Sequence, residues 1–152
     1  MDISQIQVIE KRMATLFVKL LHPDAVFPSL ATASSAGLDL YAISNHEIPP
    51  NCVEKVPTGL GMEIPAGYFG KIFDRSSLAL RQIFCVSGVI DNDYRGEVVV
   101  ILRNASLETF VIQKGDKIAQ MICIPYLRNN VIETVMLSQT QRGDKGFGSS
   151  GK

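Results

Sequence analysis

A chain of 152 residues has the length of one domain, enough to bury roughly two thirds of the surface its unfolded form would expose. Its 15 basic and 15 acidic residues cancel to a formal net charge of zero, which excludes the broad positive field that gathers nucleic acid or membrane. With no apolar run of about eighteen residues and no apolar block at the start, a soluble intracellular protein is expected, cytoplasmic or nuclear and open to a viral origin.

Residues 1–12 scatter their apolar positions without a period and are expected to form a weakly ordered extension ahead of a β domain over 13–137. Residues 15–21 are apolar, short and stopped by His22-Pro23, which suits a strand. A loop with Pro23 and Pro28 follows. Leu38, Leu40 and Ala42 then alternate with Asp39 and Tyr41, so a strand there sets Asp39 on the face opposite its leucines. Further strands are expected over 52–56, 60–64, 68–73, 83–86, 98–102, 109–112, 117–124 and 131–136. Pro57-Thr-Gly, Pro65-Ala-Gly, Lys114-Gly-Asp and Arg128-Asn-Asn separate them as turns. Many short strands at close spacing indicate an all-β sandwich or barrel with a jelly roll as the leading architecture, and only 76–80 suggests a turn of helix. Cys52, Cys85 and Cys123 have no C-x-x-C spacing and sit in or beside apolar runs, as buried reduced thiols do. His22 and His46 read as loop residues without a role. From Ser138 the apolar pattern stops, and glycines at 143, 146, 148 and 151 make 138–152 a flexible arm.

Three stretches can carry chemistry. Arg75-Ser76-Ser77 places a guanidinium and two hydroxyls where a short helix begins, either as an anion site or as a serine cap beside a surface arginine. Gly88-Val-Ile-Asp-Asn-Asp-Tyr-Arg-Gly-Glu97 bends between two apolar arms. It is either a catalytic turn or a hairpin in which Asn92 and Asp93 make turn hydrogen bonds and Gly96 supplies a positive φ. The arm resembles a dinucleotide fingerprint in Gly146, Gly148 and Gly151, but no helix can follow them. Its Phe147, Arg142, Ser149 and Ser150 suit either a disordered tail or a segment that folds over a nucleotide.

Together these stretches resemble the homotrimeric dUTPase family. Five blocks carry the resemblance: Ala36-Gly-Leu-Asp-Leu-Tyr-Ala42, Asp74-Arg-Ser-Ser-Leu-Ala79, Gly88 to Glu97, Lys114-Gly-Asp-Lys-Ile-Ala-Gln-Met-Ile122, and Arg142 to Gly151. The resemblance implies a jelly-roll trimer with sites shared between chains, hydrolysing dUTP to dUMP and pyrophosphate. It implies that Asp91 is the general base for the attacking water, and that Arg75, Ser76, Ser77 and Gln120 hold the phosphates. Tyr94 matches the tyrosine under the deoxyribose, with Ser87, Gly88 and Val99 reading uracil through the backbone. Phe147 matches the aromatic that covers the base as the arm closes, with Arg142, Ser149 and Ser150 reaching the phosphates. Asp39 matches a supporting aspartate. Mg2+ is implied as the cofactor, held by triphosphate and water rather than by a protein cage. The rivals are a dCTP deaminase of the same fold and a regulatory protein that keeps the fold, against which stand Asp91 and the complete arm. Two residues depart from the pattern: Asp74 stands before Arg75 where a small residue or proline is expected, and Lys114 replaces an arginine. The segment from Ser77 to Gly88 is also short, which bears on the depth of the base-reading hairpin.

Overall fold

Period-two alternation of apolar and polar side chains builds the fold, and the computed structural model describes it for residues 14–86, 88–144 and 146. The strands are β1 (Phe17–Leu20), β2 (Ser29–Leu30), β3 (Leu38–Tyr41), β4 (His46–Ile48), β5 (Val53–Glu63) and β6 (Tyr68–Phe73). After helix α1 (Ser76–Ala79) come β7 (Ile83–Cys85), β8 (Val89–Ile90), β9 (Glu97–Asn104), β10 (Phe110–Ile112) and β11 (Lys117–Pro125). They form a four-stranded sheet in the order β1-β5-β9-β7, a five-stranded sheet in the order β2-β3-β11-β6-β8, and the pair β10-β4. All pairs are antiparallel. This is the all-β jelly roll expected from the sequence. Along β9, Val98, Val100, Leu102 and Asn104 point into the core while the residues between them are at least partly exposed. Leu40, Ile48, Leu60, Ile112, Ile118 and Met121 meet them there. Each such aliphatic side chain contributes about 1.5–3 kcal/mol on full burial. The one polar side chain among the largest buried ones, Asn104, is fully bonded. Its Nδ2 donates to the carbonyls of Ile48 and Glu108, and its Oδ1 accepts from the backbone N–H and hydroxyl of Ser106. Among the described residues no helix is long and apolar enough to cross a membrane.

Several expectations need correction. Residues 52–56 and 60–64 do not form two strands; β5 runs through both, and Pro57-Thr-Gly is a bulge where the register on β9 shifts between Pro57 and Leu60. Proline and glycine inside one strand mark such a bulge as readily as a turn, and Gly59 takes φ +68°. His46 lies in β4, where its ring meets Ser44 and Glu54, so it is not a loop residue. Two residues of the loop after His22 pair as β2 with β3. Cys52 is exposed, because the turn from Pro49 ends on it: its N–H donates to the Pro49 carbonyl at 3.2 Å. Residues 131–136 form no strand. A ladder needs a neighbouring strand, and Val131 at 89% and Ile132 at 76% exposure have none among the described residues.

Candidate active site

Strand β11 holds three of the sequence blocks together. Gln120 lies opposite Asp39 on β3 and opposite Phe73 on β6, so the first and fourth blocks meet on one sheet and the second begins where β6 leaves it. Asp39 is buried and faces two cations: its Oδ2 is 2.7 Å from Lys117 Nζ and its Oδ1 is 3.7 Å from Arg75 Nε. The Asp39 carboxylate holds the Lys117 ammonium above the usual lysine pKa, chiefly by hydrogen bonding. Arg75 also donates to the Lys117 carbonyl at 3.0 Å, which fixes the guanidinium against the sheet. Gln120 packs on Gly37, where an added Cβ would stand 2.5 Å from its Oε1. Its Nε2 donates to the Asp74 carbonyl at 2.9 Å.

The serines of the second block are not helix caps. Arg75 itself occupies the cap position of α1 in an extended conformation with no side-chain capping bond, and Ser76 and Ser77 are exposed. The Asp74 carboxylate is turned away from them and accepts the Cys85 N–H. Neighbouring extended residues point to opposite sides, so the acid before Arg75 does not oppose an anion beside it. Burial pushes the Cys85 thiol up to about 12, with the Asp74 carboxylate adding to the shift. That thiol is therefore protonated and unreactive at neutral pH.

The third block does not close a simple hairpin. The first arm, β7, pairs with the far end of β9, Cys85 facing Leu102. The chain then crosses to the other sheet, where β8 pairs with β6, before it returns to β9. Gly88 makes the crossing at φ +130°: its carbonyl accepts the Ile72 N–H at 2.9 Å, and a Cβ there would come within 2.8 Å of the Ile72 Cβ. A turn over 91–94 follows, closed by the Tyr94 N–H on the Asp91 carbonyl at 3.1 Å. Arg95 braces it by donating to the carbonyls of Asn92 and Tyr94. The Tyr94 hydroxyl donates to the Glu97 carbonyl at 3.0 Å, so the ring lies over Gly96. Gly96 is thus needed for space rather than for a positive φ: a Cβ would stand 2.4 Å from the Tyr94 hydroxyl oxygen.

Gly88, Asp91, Tyr94 and Val99 come together around one cleft of about 240 Å³, with Ile72 and Glu97 also in its wall. Arg75 and Ser77 line a separate cleft of about 440 Å³ with Arg81 and Lys117. The two clefts share no lining residue. Arg142 is exposed at a bend beside Gly143, whose φ is +57°. Ser87, Phe147, Ser149 and Ser150 lie outside the described residues. Lys117 and Glu97 sit inside the quoted blocks and received no role from the sequence. The ion pair of Lys117 with Asp39 could have been suspected from their charges, but the contact of Glu97 with β5 has no sequence signal. Among the described residues, no group of three or more His, Cys, Asp or Glu is placed to hold a metal ion.

Comparison with known proteins agrees with these blocks. The sequence model of the dUTPase family matches residues 24–151. A deoxyuridine 5'-triphosphate nucleotidohydrolase of Hydrogenobaculum sp. is 46% identical over 140 residues, covering 90% of this chain and 97% of the relative. The mitochondrial deoxyuridine 5'-triphosphate nucleotidohydrolase of Homo sapiens is 41% identical, over 87% of this chain and 53% of its own. In structure, the dUTPase of Staphylococcus bacteriophage 80alpha with dUpNHpp matches at a TM-score of 0.86 and 26% identity, covering 92% of this chain and 100% of that one. A match that spans the β domain and the glycine-rich arm alike places this chain in the dUTPase family.

Proposed function

We propose that the protein hydrolyses dUTP to dUMP and pyrophosphate by attack of water on the α-phosphorus, removing a source of uracil in DNA and supplying dUMP for thymidylate synthesis. The observation that carries this reading is the cleft in which Asp91 and Tyr94 stand beside backbone freed from the sheet. Ile101 accepts the Val86 N–H on the edge of β9 that faces β7. Two residues on, Val99 directs its N–H and C=O to the same edge, beyond the end of β7 at Cys85. Two further on, the Glu97 carbonyl on that edge is taken by Tyr94. Val99 therefore offers the cleft one donor and one acceptor, a pattern suited to a uracil edge, with Gly88 in the same wall and Ser87 assigned to the base by the resemblance. The Tyr94 ring beside it supports a sugar contact that leaves no room for a 2′-hydroxyl.

Asp91 orients the attacking water and takes its proton. Arg75, Ser76, Ser77 and Gln120 hold the phosphates, and the charge that builds on the leaving pyrophosphate is met by Arg75. Gln120 and Asp39 keep Arg75 and its neighbours in place. The arm contributes Phe147 over the base, with Arg142, Ser149 and Ser150 at the phosphates, and closing it excludes water. Mg2+ enters as part of the substrate, on the triphosphate oxygens, where it lowers their charge.

The separation of the two clefts supports sites assembled from more than one chain, and the resemblance implies three. Leu127, Val131, Ile132, Val135 and Met136 are exposed, as apolar residues destined for a neighbouring copy are. A trimer of these 16.6 kDa chains sediments at about 50 kDa, three times the mass of one. The activity is tested by incubating the protein with Mg2+ and dUTP, dTTP, dCTP or UTP, following pyrophosphate and deamination separately. Pyrophosphate from dUTP alone is the expected result; deamination of dCTP, or no turnover at all, overturns the reading.

A further inference from the structure

We propose that Glu97 is a positioning residue for sugar selection, acting through the β5 bulge on Tyr94; this rests on the reading of Tyr94 as the ring that faces the deoxyribose. The bulge between Pro57 and Leu60 takes the Gly59 N–H out of the ladder with β9. Glu97 supplies the missing acceptor: its Oε1 receives that N–H at 2.7 Å, a charge-assisted bond from a buried amide to a half-buried carboxylate. The neighbouring Thr58 hydroxyl donates to the Val98 carbonyl, so both residues that start β9 are fastened to the same bulge. Pro57, opposite Val99, turns its backbone away from β9, its carbonyl accepting the Ile43 N–H at 3.3 Å, so at the bulge the strand start depends on these two side-chain bonds.

The same Glu97 carries the carbonyl that receives the Tyr94 hydroxyl at 3.0 Å. Its side chain therefore faces β5 while its backbone holds the ring. A shift of Glu97 moves that carbonyl, and with it the hydrogen bond that holds the Tyr94 hydroxyl. Gly96 leaves the ring no slack on its other side, since the hydroxyl already occupies the space of a Cβ. Discrimination against a 2′-hydroxyl is a steric decision within less than an ångström or two, so it is the property most exposed to a loosened ring. Binding of the phosphates, by residues of the other cleft, is not.

The test uses the full chain with Mg2+ and compares kcat/KM for dUTP and UTP in the parent, Glu97→Ala, Glu97→Asp and Glu97→Gln, together with amide hydrogen exchange at Gly59. Alanine removes the acceptor, aspartate withdraws it by one methylene, and glutamine keeps an acceptor oxygen without the charge. In Glu97→Ala and Glu97→Asp the ratio of dUTP to UTP efficiency falls by about tenfold or more as the Gly59 amide loses protection. In Glu97→Gln both stay within about threefold of the parent. Should Glu97→Ala not fold, Glu97→Asp gives the answer alone. Undiminished discrimination in a folded variant whose Gly59 amide exchanges freely overturns the proposal, and so does a glutamine variant that fails as alanine does. A parent that never prefers dUTP to UTP instead overturns the reading of Tyr94, while the exchange at Gly59 still reports whether Glu97 holds the bulge.

Discussion

The Asp74 carboxylate accepts the Cys85 N–H, and the Asp74 carbonyl accepts Gln120 Nε2 at 2.9 Å. One residue thus ties the phosphate-block turn to β7 and to the central strand β11. Asp74→Ala leaves the partly buried Cys85 amide without its acceptor and is expected to lower stability by about 1–3 kcal/mol in urea unfolding. Asp74→Asn retains a carbonyl oxygen and should recover most of that loss. If alanine and asparagine are equally stable, the bond to Cys85 contributes nothing.

Replacing Gly96 by alanine sets a methyl group where the Tyr94 hydroxyl lies, 2.4 Å away. The ring must leave its place, while the backbone of Gly96, which is not at positive φ, tolerates alanine. Turnover of dUTP is expected to fall by about 10–100-fold with the melting temperature little changed, because a misplacement of about 1 Å at a site can cost 10²-fold. Steady-state kinetics beside a thermal melt checks both halves.

Asp39 balances Lys117 and Arg75 from a buried position. Asp39→Ala leaves two cations side by side without their anion, and we expect a loss of about 1–3 kcal/mol, less than for a fully buried pair because both cations reach solvent. The free Arg75 then wanders, so KM for dUTP is expected to rise while the cleft around Asp91 and Tyr94, which lies elsewhere, keeps its preference for the base. Kinetics with dUTP and dCTP separates these effects.

The Cys85 thiol is raised from 9.0 to about 12 by burial and by Asp74. Below pH 9 the thiol is protonated in both folded and unfolded chains and stability does not depend on it. Between about pH 9 and 12 the unfolded chain releases the proton first, so this contribution to stability is lost as pH rises through that window. Denaturant midpoints measured from pH 8 upward should fall, and fall less in Cys85→Ala if the protein tolerates it. At pH 8 a thiol reagent should label exposed Cys52 in the folded protein and reach Cys85 only after unfolding.

Period-two alternation made β6 and β9 legible in the sequence, because each buries one face and shows it every second residue, whereas β3 buries the neighbours Asp39 and Leu40 and β11 the neighbours Ile118 and Ala119. Residues whose role is set by distant partners were not legible. Pro57-Thr-Gly has the composition of a turn, and only the long partner β9 makes it a bulge. Cys52 lies beside an apolar run, yet a turn leaves it exposed. In the site, Asp91, Tyr94 and Gly88 stand in one continuous block and were found as one. Glu97 ends that block, but the amide it serves lies 38 residues earlier, beyond the reach of any local pattern.

The two clefts that share no lining residue have a genetic consequence. If Asp91 of one copy serves the phosphates held by Arg75 of another, two inactive proteins can repair each other. Mixing Asp91→Asn chains with Arg75→Ala chains, unfolded together and refolded, would then reconstitute about a quarter of the sites with both residues intact. Such complementation fails if each chain supplies both residues to its own site. The spacing of two hollows on one chain thereby becomes a question that a mixture of dead enzymes can answer.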